Sequence, residues 1–195
     1  YLADCFGLRL LNRRGCFPQF DKFIEQTKDV WTHLVDIRKS FEPRAEELAK
    51  KYALAPYTMF IGSGALWGET ILFSMCILEE MQWKRTRYIT SADFFHGTLE
   101  LVEPGVPVFL FMGEDENRKL DERVRAFLNR GVTGDTDINI IDTAEFAIPG
   151  LDDEFRVIVS PWILSSLITD RLAAYYETVT KHNLNYRRYY HQFDY

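Results

Sequence analysis

Tyr57-Thr58-Met59-Phe60-Ile61-Gly62-Ser63-Gly64, followed by an apolar run from Leu66 to Trp83 and then Arg87-Tyr88-Ile89-Thr90, decides the fold. Thr58 to Ile61 has strand length and composition, Gly62-Ser63-Gly64 is a turn, and the run after it reads as a helix. Arg87 to Thr90 is a second strand, so the stretch is a strand–helix–strand unit. Toward the C-terminus, a short helix through Phe94, Leu99 and Val102 stops at Pro104-Gly105. Val108 to Met112 reads as a buried strand. Asp115 to Asn129 reads as a helix with Leu120, Val124, Phe127 and Leu128 on one face, ended by Gly131. Ile138 to Ile141 supplies a further strand. Ser160-Pro161 starts a last apolar helix reaching about Lys181, and the aromatic tail Tyr186-Arg187-Arg188-Tyr189-Tyr190 comes after it. Toward the N-terminus, Phe20, Phe23, Ile24, Trp31, Leu34 and Val35 make one amphipathic helix. Pro43 is expected to break it before a second through Ala45, Leu48, Ala49 and Tyr52. Alternating strands and helices predict an α/β protein, a three-layer α/β/α sandwich with a mostly parallel sheet over residues 56–195, preceded by linker helices over 16–55. The chain opens inside an apolar pattern (Leu2, Phe6, Leu8, Leu10, Leu11), so residues 1–15 are expected to be a helix trailing from something larger.

Composition bounds the partners. A chain of 195 residues, 47% apolar and 15% aromatic, can bury a full core, and a net charge of −6 without a basic block argues against nucleic acid and against a basic membrane patch. Small metabolites are the expected partners. Cys5, Cys16 and Cys76 are odd in number and form no Cys-x-x-Cys, which indicates neither a disulfide framework nor a zinc cage and makes a reducing cytoplasm the default. The primary sequence reads as lacking an apolar stretch of membrane-spanning length and a signal-type start.

Gly62, Gly64 and Gly68 imitate a dinucleotide fingerprint, but the third glycine falls one place late and Thr90-Ser91 stands where an acidic residue should end the next strand. A serine-hydrolase elbow would need glycine where Ile61 stands. The turn does put backbone N–H groups and the Ser63 hydroxyl at a helix N-terminus, suited to an anion or sugar hydroxyls; tight strand-to-helix packing explains its glycines equally well. Glu79 and Glu80 end an apolar helix where the dipole disfavours acids, so either they are solvated surface charges or one of them has work there. His96, between Phe95 and Gly97, is by itself an ordinary structural histidine. His33, His182 and His191 have no metal-ligand partner at helical spacing. Glu114-Asp115-Glu116 reads as a helix start and Asp152-Asp153-Glu154 as a solvated loop.

Ile61-Gly62-Ser63-Gly64, the helix ending Leu78-Glu79-Glu80, the strand Tyr88-Ile89-Thr90, and Ser91-Ala92-Asp93-Phe94-Phe95-His96-Gly97-Thr98-Leu99-Glu100 through Pro104-Gly105 together resemble the second sugar isomerase (SIS) domain of the double-domain family that includes the isomerase half of glucosamine-6-phosphate synthase. The resemblance covers about residues 56–180 and implies an SIS-type, flavodoxin-like sandwich. Within the family, the Phe-Phe-His-Gly-Thr-Leu-Glu wording, the Gly113-Glu114-Asp115 turn with Arg118 and Asp121-Glu122-Arg123, and the tail Arg187-Arg188-Tyr189-Tyr190 are most like deglycases of fructosamine 6-phosphates, the fructose-asparagine branch above all. In this family a glutamate ending the helix and a histidine before glycine stand sixteen apart, as Glu80 and His96 do. The resemblance therefore implies Glu80 and His96 as catalytic residues, Ser63, Gly64, Arg188 and Tyr189 as substrate contacts, a sugar-phosphate substrate, no cofactor or metal, and a homodimer sharing its sites between subunits. Strand–helix geometry suggests that Glu80 and His96 share one sheet edge, and Phe94 and Phe95 are expected to face the subunit interface.

Two departures bear on the reading. The family's phosphate loop, Ser-x-Ser-Gly-x-Thr, is absent, and Phe111-Met112-Gly113-Glu114-Asp115 stands in its place, so the phosphate site is expected in a domain beyond this chain. The synthase uses a C-terminal lysine as an imine former, whereas no lysine comes after Lys181, which favours a deglycase over an aminating enzyme. The competing readings are a sugar-phosphate isomerase or aminotransferase-type relative and a non-catalytic sugar-phosphate sensor.

Overall fold

The computed structural model describes residues 1–131, 134 and 136–194. Four strands, β1 (Tyr57–Gly62), β2 (Arg85–Ile89), β3 (Val108–Met112) and β4 (Ile138–Asp142), form one parallel sheet in the order β2-β1-β3-β4. Register sets Met59 opposite both Arg87 and Val108, and Val108 opposite Ile138. β1 and β3 are covered on both faces, which explains why they read as continuous apolar runs rather than as alternations.

Helices fill both faces and give the expected three-layer sandwich. On one face Phe60, Phe109 and Phe111 pack with Phe73, Leu164, Leu167 and Tyr176, all fully buried. This layer comprises α3 (Val30–Tyr52), α4 (Trp67–Ile71) with its π-helical continuation (Leu72–Met81), and the run of α7 (Asp153–Ser165), a second π-helical segment (Ser166–Leu172) and α8 (Ala173–Thr180). On the other face Met59, Ile61, Leu110 and Met112 pack with Phe94 of α5 (Ser91–Phe94) and with Val124 and Leu128 of α6 (Arg118–Leu128). Two shorter helices precede α3: α1 (Leu2–Arg13), which has no buried residue, and α2 (Phe20–Thr27).

The structure corrects several boundaries. Phe20 to Val35 is not one helix: it divides at Lys28-Asp29 into α2 and α3. Pro43 does not break α3. A proline inside a helix costs about 3 kcal/mol, but the buried stripe Val30, Leu34, Ile37, Phe41, Ala45, Leu48, Ala49 and Tyr52 continues in phase across it. Burying several such side chains, at about 1.5–3 kcal/mol each, outweighs the one lost hydrogen bond. The last helix starts at Asp153 rather than Ser160, so Asp153 and Glu154 form its first acidic turn instead of a loop. Pro161 leaves the Val157 carbonyl without its helical donor, and the Ser160 hydroxyl donates to that oxygen at 3.3 Å. Asp153–Thr180 thereby becomes one 28-residue helix containing an 18-residue stretch of mean hydropathy 1.3, long and apolar enough to cross a membrane by length and composition, contrary to the sequence reading. Phe155, Val159, Ile163, Leu167 and Leu172 build it into the core.

Candidate functional site

Glu80 lies at the end of the π-helical segment, where the Gln82 N–H reaches back five residues to the Ile77 carbonyl at 3.1 Å. Such a segment inserts an extra residue per turn and re-aims the side chains after it. The chain then goes directly into β2 through Trp83, whose φ is +52°. A helix that returns antiparallel to its strands ends at their N-terminal edge, and Glu80 is placed there.

The tail folds back over this edge. Lys181, at φ +58°, ends α8 in the left-handed conformation, and Gln82 fastens the turn by donating to the His182 carbonyl at 2.6 Å and accepting from the Thr180 hydroxyl at 2.7 Å. Arg187 then donates from Nε to the Glu80 carboxylate at 2.9 Å, while its Nη1 donates to the Leu184 and Tyr186 carbonyls. Arg188 stacks over the Trp83 ring at 4.3 Å, and Trp83 meets His182 edge-on at 4.4 Å. Between these groups lies a cleft of about 540 Å³ lined by both carboxylates Glu79 and Glu80, by Lys84, Arg85, Arg187 and Arg188, and by three aromatic rings. The Glu80 side chain is 30% exposed into it. Glu79, next to it, accepts from the Thr86 hydroxyl at 2.6 Å. Lys84 donates to the Ala53 and Ala55 carbonyls at 2.6 and 2.7 Å, and burial pulls its ammonium below the ordinary lysine range. Burial, with Glu80 and Glu79 adding to it, pushes the Cys76 thiol up.

His96 is at the other end of β2. The Thr90 side chain caps α5 by accepting from the Asp93 N–H, and the helix carries the chain to His96, which is exposed just before Gly97 at φ +122°. Five residues of strand at about 3.3 Å rise put roughly 15 Å between the two edges. The expectation that strand–helix geometry brings Glu80 and His96 to one edge is therefore wrong for a single chain. Phe94 and Phe95 do not face outward either: Phe94 is fully buried, and Phe95 packs on Phe127 with the Arg123 guanidinium 4.1 Å above its ring. These rings anchor the His96 loop to α6.

Ser63 and Gly64 share the C-terminal edge with His96, but their polar groups are already engaged. The Ser63 hydroxyl, 4% exposed, accepts from the Ser91 N–H at 2.7 Å. Gly64 has φ +55°, and a Cβ there would collide with the Asp115 carboxylate, which accepts from the Ala65 N–H at 2.5 Å. An internal anion thus occupies the helix N-terminus that an external one would use, and the packing reading of the glycines holds. Asp115 also accepts from Asn117 N, so the acidic triplet caps before α6 rather than beginning it. Beneath the edge, Asp121, 1% exposed, accepts from the Ser91 hydroxyl at 2.5 Å and the Gly113 N–H at 3.3 Å; burial pushes its carboxyl up to about 6.

Of the residues singled out in sequence, the structure gathers Glu80, Arg188 and Tyr189 in one cleft and leaves His96, Ser63 and Gly64 at the opposite edge. Sequence reasoning missed Trp83, Lys84 and Arg85, and did not pair Arg187 with Glu80. The first three had a signal: a helix end running straight into a strand keeps consecutive residues on one edge. Among the described residues no three His, Cys, Asp or Glu side chains converge as a metal site.

No family model matches the chain. It is 28% identical over 188 residues, 94% of its length, to the fructosamine deglycase FrlB of Bacillus subtilis. It is 29% identical over 195 residues to the fructoselysine 6-phosphate deglycase of Escherichia coli. The chain spans about half the length of these curated relatives, 54% in each case. In structure it superposes on a crystal structure described as a candidate phosphosugar isomerase of Bacillus subtilis, with a TM-score of 0.86 and 26% identity over 95% of this chain and 55% of that one. The likeness to SIS-type deglycases and the three-layer fold read from the residues are both borne out.

Proposed function

We propose that this chain forms part of a deglycase for Amadori 6-phosphates, 1-amino-1-deoxy-2-ketose phosphates of the fructose-asparagine or fructose-aspartate type, releasing glucose 6-phosphate and the free amino acid. The observation that carries the reading is the Glu80 carboxylate, partly exposed in a cationic, aromatic cleft, in a chain similar to deglycases over nearly its whole length. Releasing the amine requires moving the carbonyl from C2 to C1. Glu80 takes a C1 proton to give the 1,2-enaminol and returns a proton at C2, leaving an aldimine between C1 and the amine nitrogen. Water then cleaves the aldimine to the aldehyde of glucose 6-phosphate and the amino acid. Arg187, donating to the same carboxylate, holds it in place and must yield part of that contact when substrate arrives.

His96 opens the furanose ring by proton transfer at its oxygen. Because roughly 15 Å of β2 separates it from Glu80 in one chain, each site combines Glu80 of one subunit with His96 of the partner subunit in a two-fold dimer. The substrate's phosphate is assigned to a region outside the cleft. The turn at Glu114-Asp115 already carries its own anions, and the relatives extend well beyond the matched portion. The test uses the whole protein with fructose-aspartate 6-phosphate and a coupled assay for glucose 6-phosphate. Glu80→Gln should lose about two to four orders of magnitude in turnover, the range for a general base. Retention of more than about a tenth of wild-type activity would remove Glu80 from that role.

A further inference from the structure

Resting on that reading of Glu80, we infer that Arg85 and Arg188 form a carboxylate clamp that selects substrates whose sugar is attached through the α-nitrogen of the amino acid. Lys84 is engaged by the Ala53 and Ala55 carbonyls, and Arg187 by Glu80 and two backbone carbonyls. Arg85 and Arg188 are exposed, line the same cleft, and donate to no acceptor among the described residues. Arg188 is nevertheless positioned: its guanidinium carbon lies 4.3 Å from the Trp83 ring centroid, a cation–π contact that holds the group over the ring. The carboxylates in the cleft do not satisfy these arginines. Glu79 accepts from Thr86 and Glu80 from Arg187. An open, cationic, planar donor set matches a carboxylate ligand.

Chemistry then fixes which carboxylate reaches it. C1 of the sugar must lie within hydrogen-bonding reach of Glu80 for the proton to leave. In an α-linked conjugate the carboxylate carbon is two bonds from the nitrogen on C1, so it lies within a few ångströms of Glu80, where the two free arginines line the wall. In an ε-linked lysine conjugate the carboxylate is six bonds from the nitrogen and arrives with a free α-ammonium beside it. That end would lie beyond the clamp or bring a cation against Arg85 and Arg188. Aspartate and asparagine conjugates place their carboxylate close to the nitrogen and suit the clamp; an alkylamine conjugate offers it nothing.

The experiment compares kcat/KM of the whole protein for three 6-phosphates: α-fructosyl-aspartate, ε-fructosyl-lysine and fructosyl-ethylamine. Wild type should prefer the aspartate conjugate over ethylamine by about ten- to a hundredfold, the range of a charge-assisted hydrogen bond. Arg85→Ala and Arg188→Ala should each lower kcat/KM for the aspartate conjugate about tenfold more than for the ethylamine conjugate, chiefly through KM. Turnover of ethylamine conjugate by the variants also reports that they fold. Equal turnover of all three substrates by wild type, or equal losses on all three in both variants, would overturn the clamp. Glu80→Gln separates the two ideas. If it stays active while the arginine variants still lose aspartate preference, the base is misassigned and the clamp stands. If it is inactive and the arginine variants keep the wild-type aspartate preference, the base stands and the clamp falls.

Discussion

Asp121→Asn is expected to stabilise the fold at neutral and alkaline pH. Asp121 is buried beneath the C-terminal sheet edge, and burial raises its carboxyl from 3.8 to about 6 against the opposing pull of the Ser91 hydroxyl and the Gly113 N–H. A carboxyl with a folded-state pKa above its unfolded value binds its proton more tightly when native. Its contribution to stability is therefore greatest below about pH 4 and is lost as pH rises through about 6. At about 1.36 kcal/mol per pH unit, ionised Asp121 costs on the order of 3 kcal/mol above pH 7, a net figure in which the attraction of nearby Arg118 is already included. Asparagine keeps the geometry without the charge: its carbonyl can accept from Gly113 and its amide donate to Ser91. Urea unfolding at pH 8 should show the variant more stable by roughly 1–3 kcal/mol, a midpoint shift of about 1 M at a typical slope, with a gain about half as large at pH 5. An equal loss of stability at both pH values would refute the reasoning and show that hydrogen bonds to the charged carboxylate outweigh its burial.

Arg156 clamps Glu114 through two donors at 2.7 and 2.8 Å and also bonds the Phe146 and Thr143 carbonyls, with the two side chains only 11% and 15% exposed. Arg156→Ala should cost about 3 kcal/mol by leaving a carboxylate unpaired, seen as a lowered thermal midpoint. Arg156→Met with Glu114→Gln should recover part of it; a single variant within about 0.5 kcal/mol of wild type would contradict the assignment. Cys16 is exposed, whereas Cys76 is partly covered and its thiol is pushed up by burial and by Glu80 and Glu79. Limited maleimide labelling at pH 7 with peptide mass spectrometry should find Cys16 modified well before Cys76, and the reverse order would be inconsistent with that environment.

The residues disclose most where the physics is local. Val108–Met112 was legible to the residue and β1 to within one, because parallel strands buried on both faces are nearly continuous apolar runs bounded by turn residues; the edge strand β4 was legible to within one from its isoleucines alone. Pro43 and Pro161 misled because a local penalty of about 3 kcal/mol is decided by tertiary burial that no short window contains. The break at Lys28-Asp29 carries no glycine or proline to announce it. Glu80 stood out as an acid at an apolar helix end, but its ion pair with Arg187 depends on a fold-back set by Gln82, His182 and Lys181, contacts that span most of the domain. The separation of Glu80 from His96 was in principle readable: a helix returning from a parallel strand ends at the edge where that strand began.

That separation yields the most direct test of the account. Differently tagged chains of the whole protein carrying Glu80→Ala and His96→Ala, co-expressed and purified as the hetero-dimer, contain one site with both residues intact if the sites are built across subunits. Activity on fructose-aspartate 6-phosphate should return to about half the wild-type value per dimer when the two sites act independently, while each parent homodimer stays nearly inactive. A hetero-dimer as inactive as its parents would mean that Glu80 and His96 serve one site within a single chain, contradicting the account.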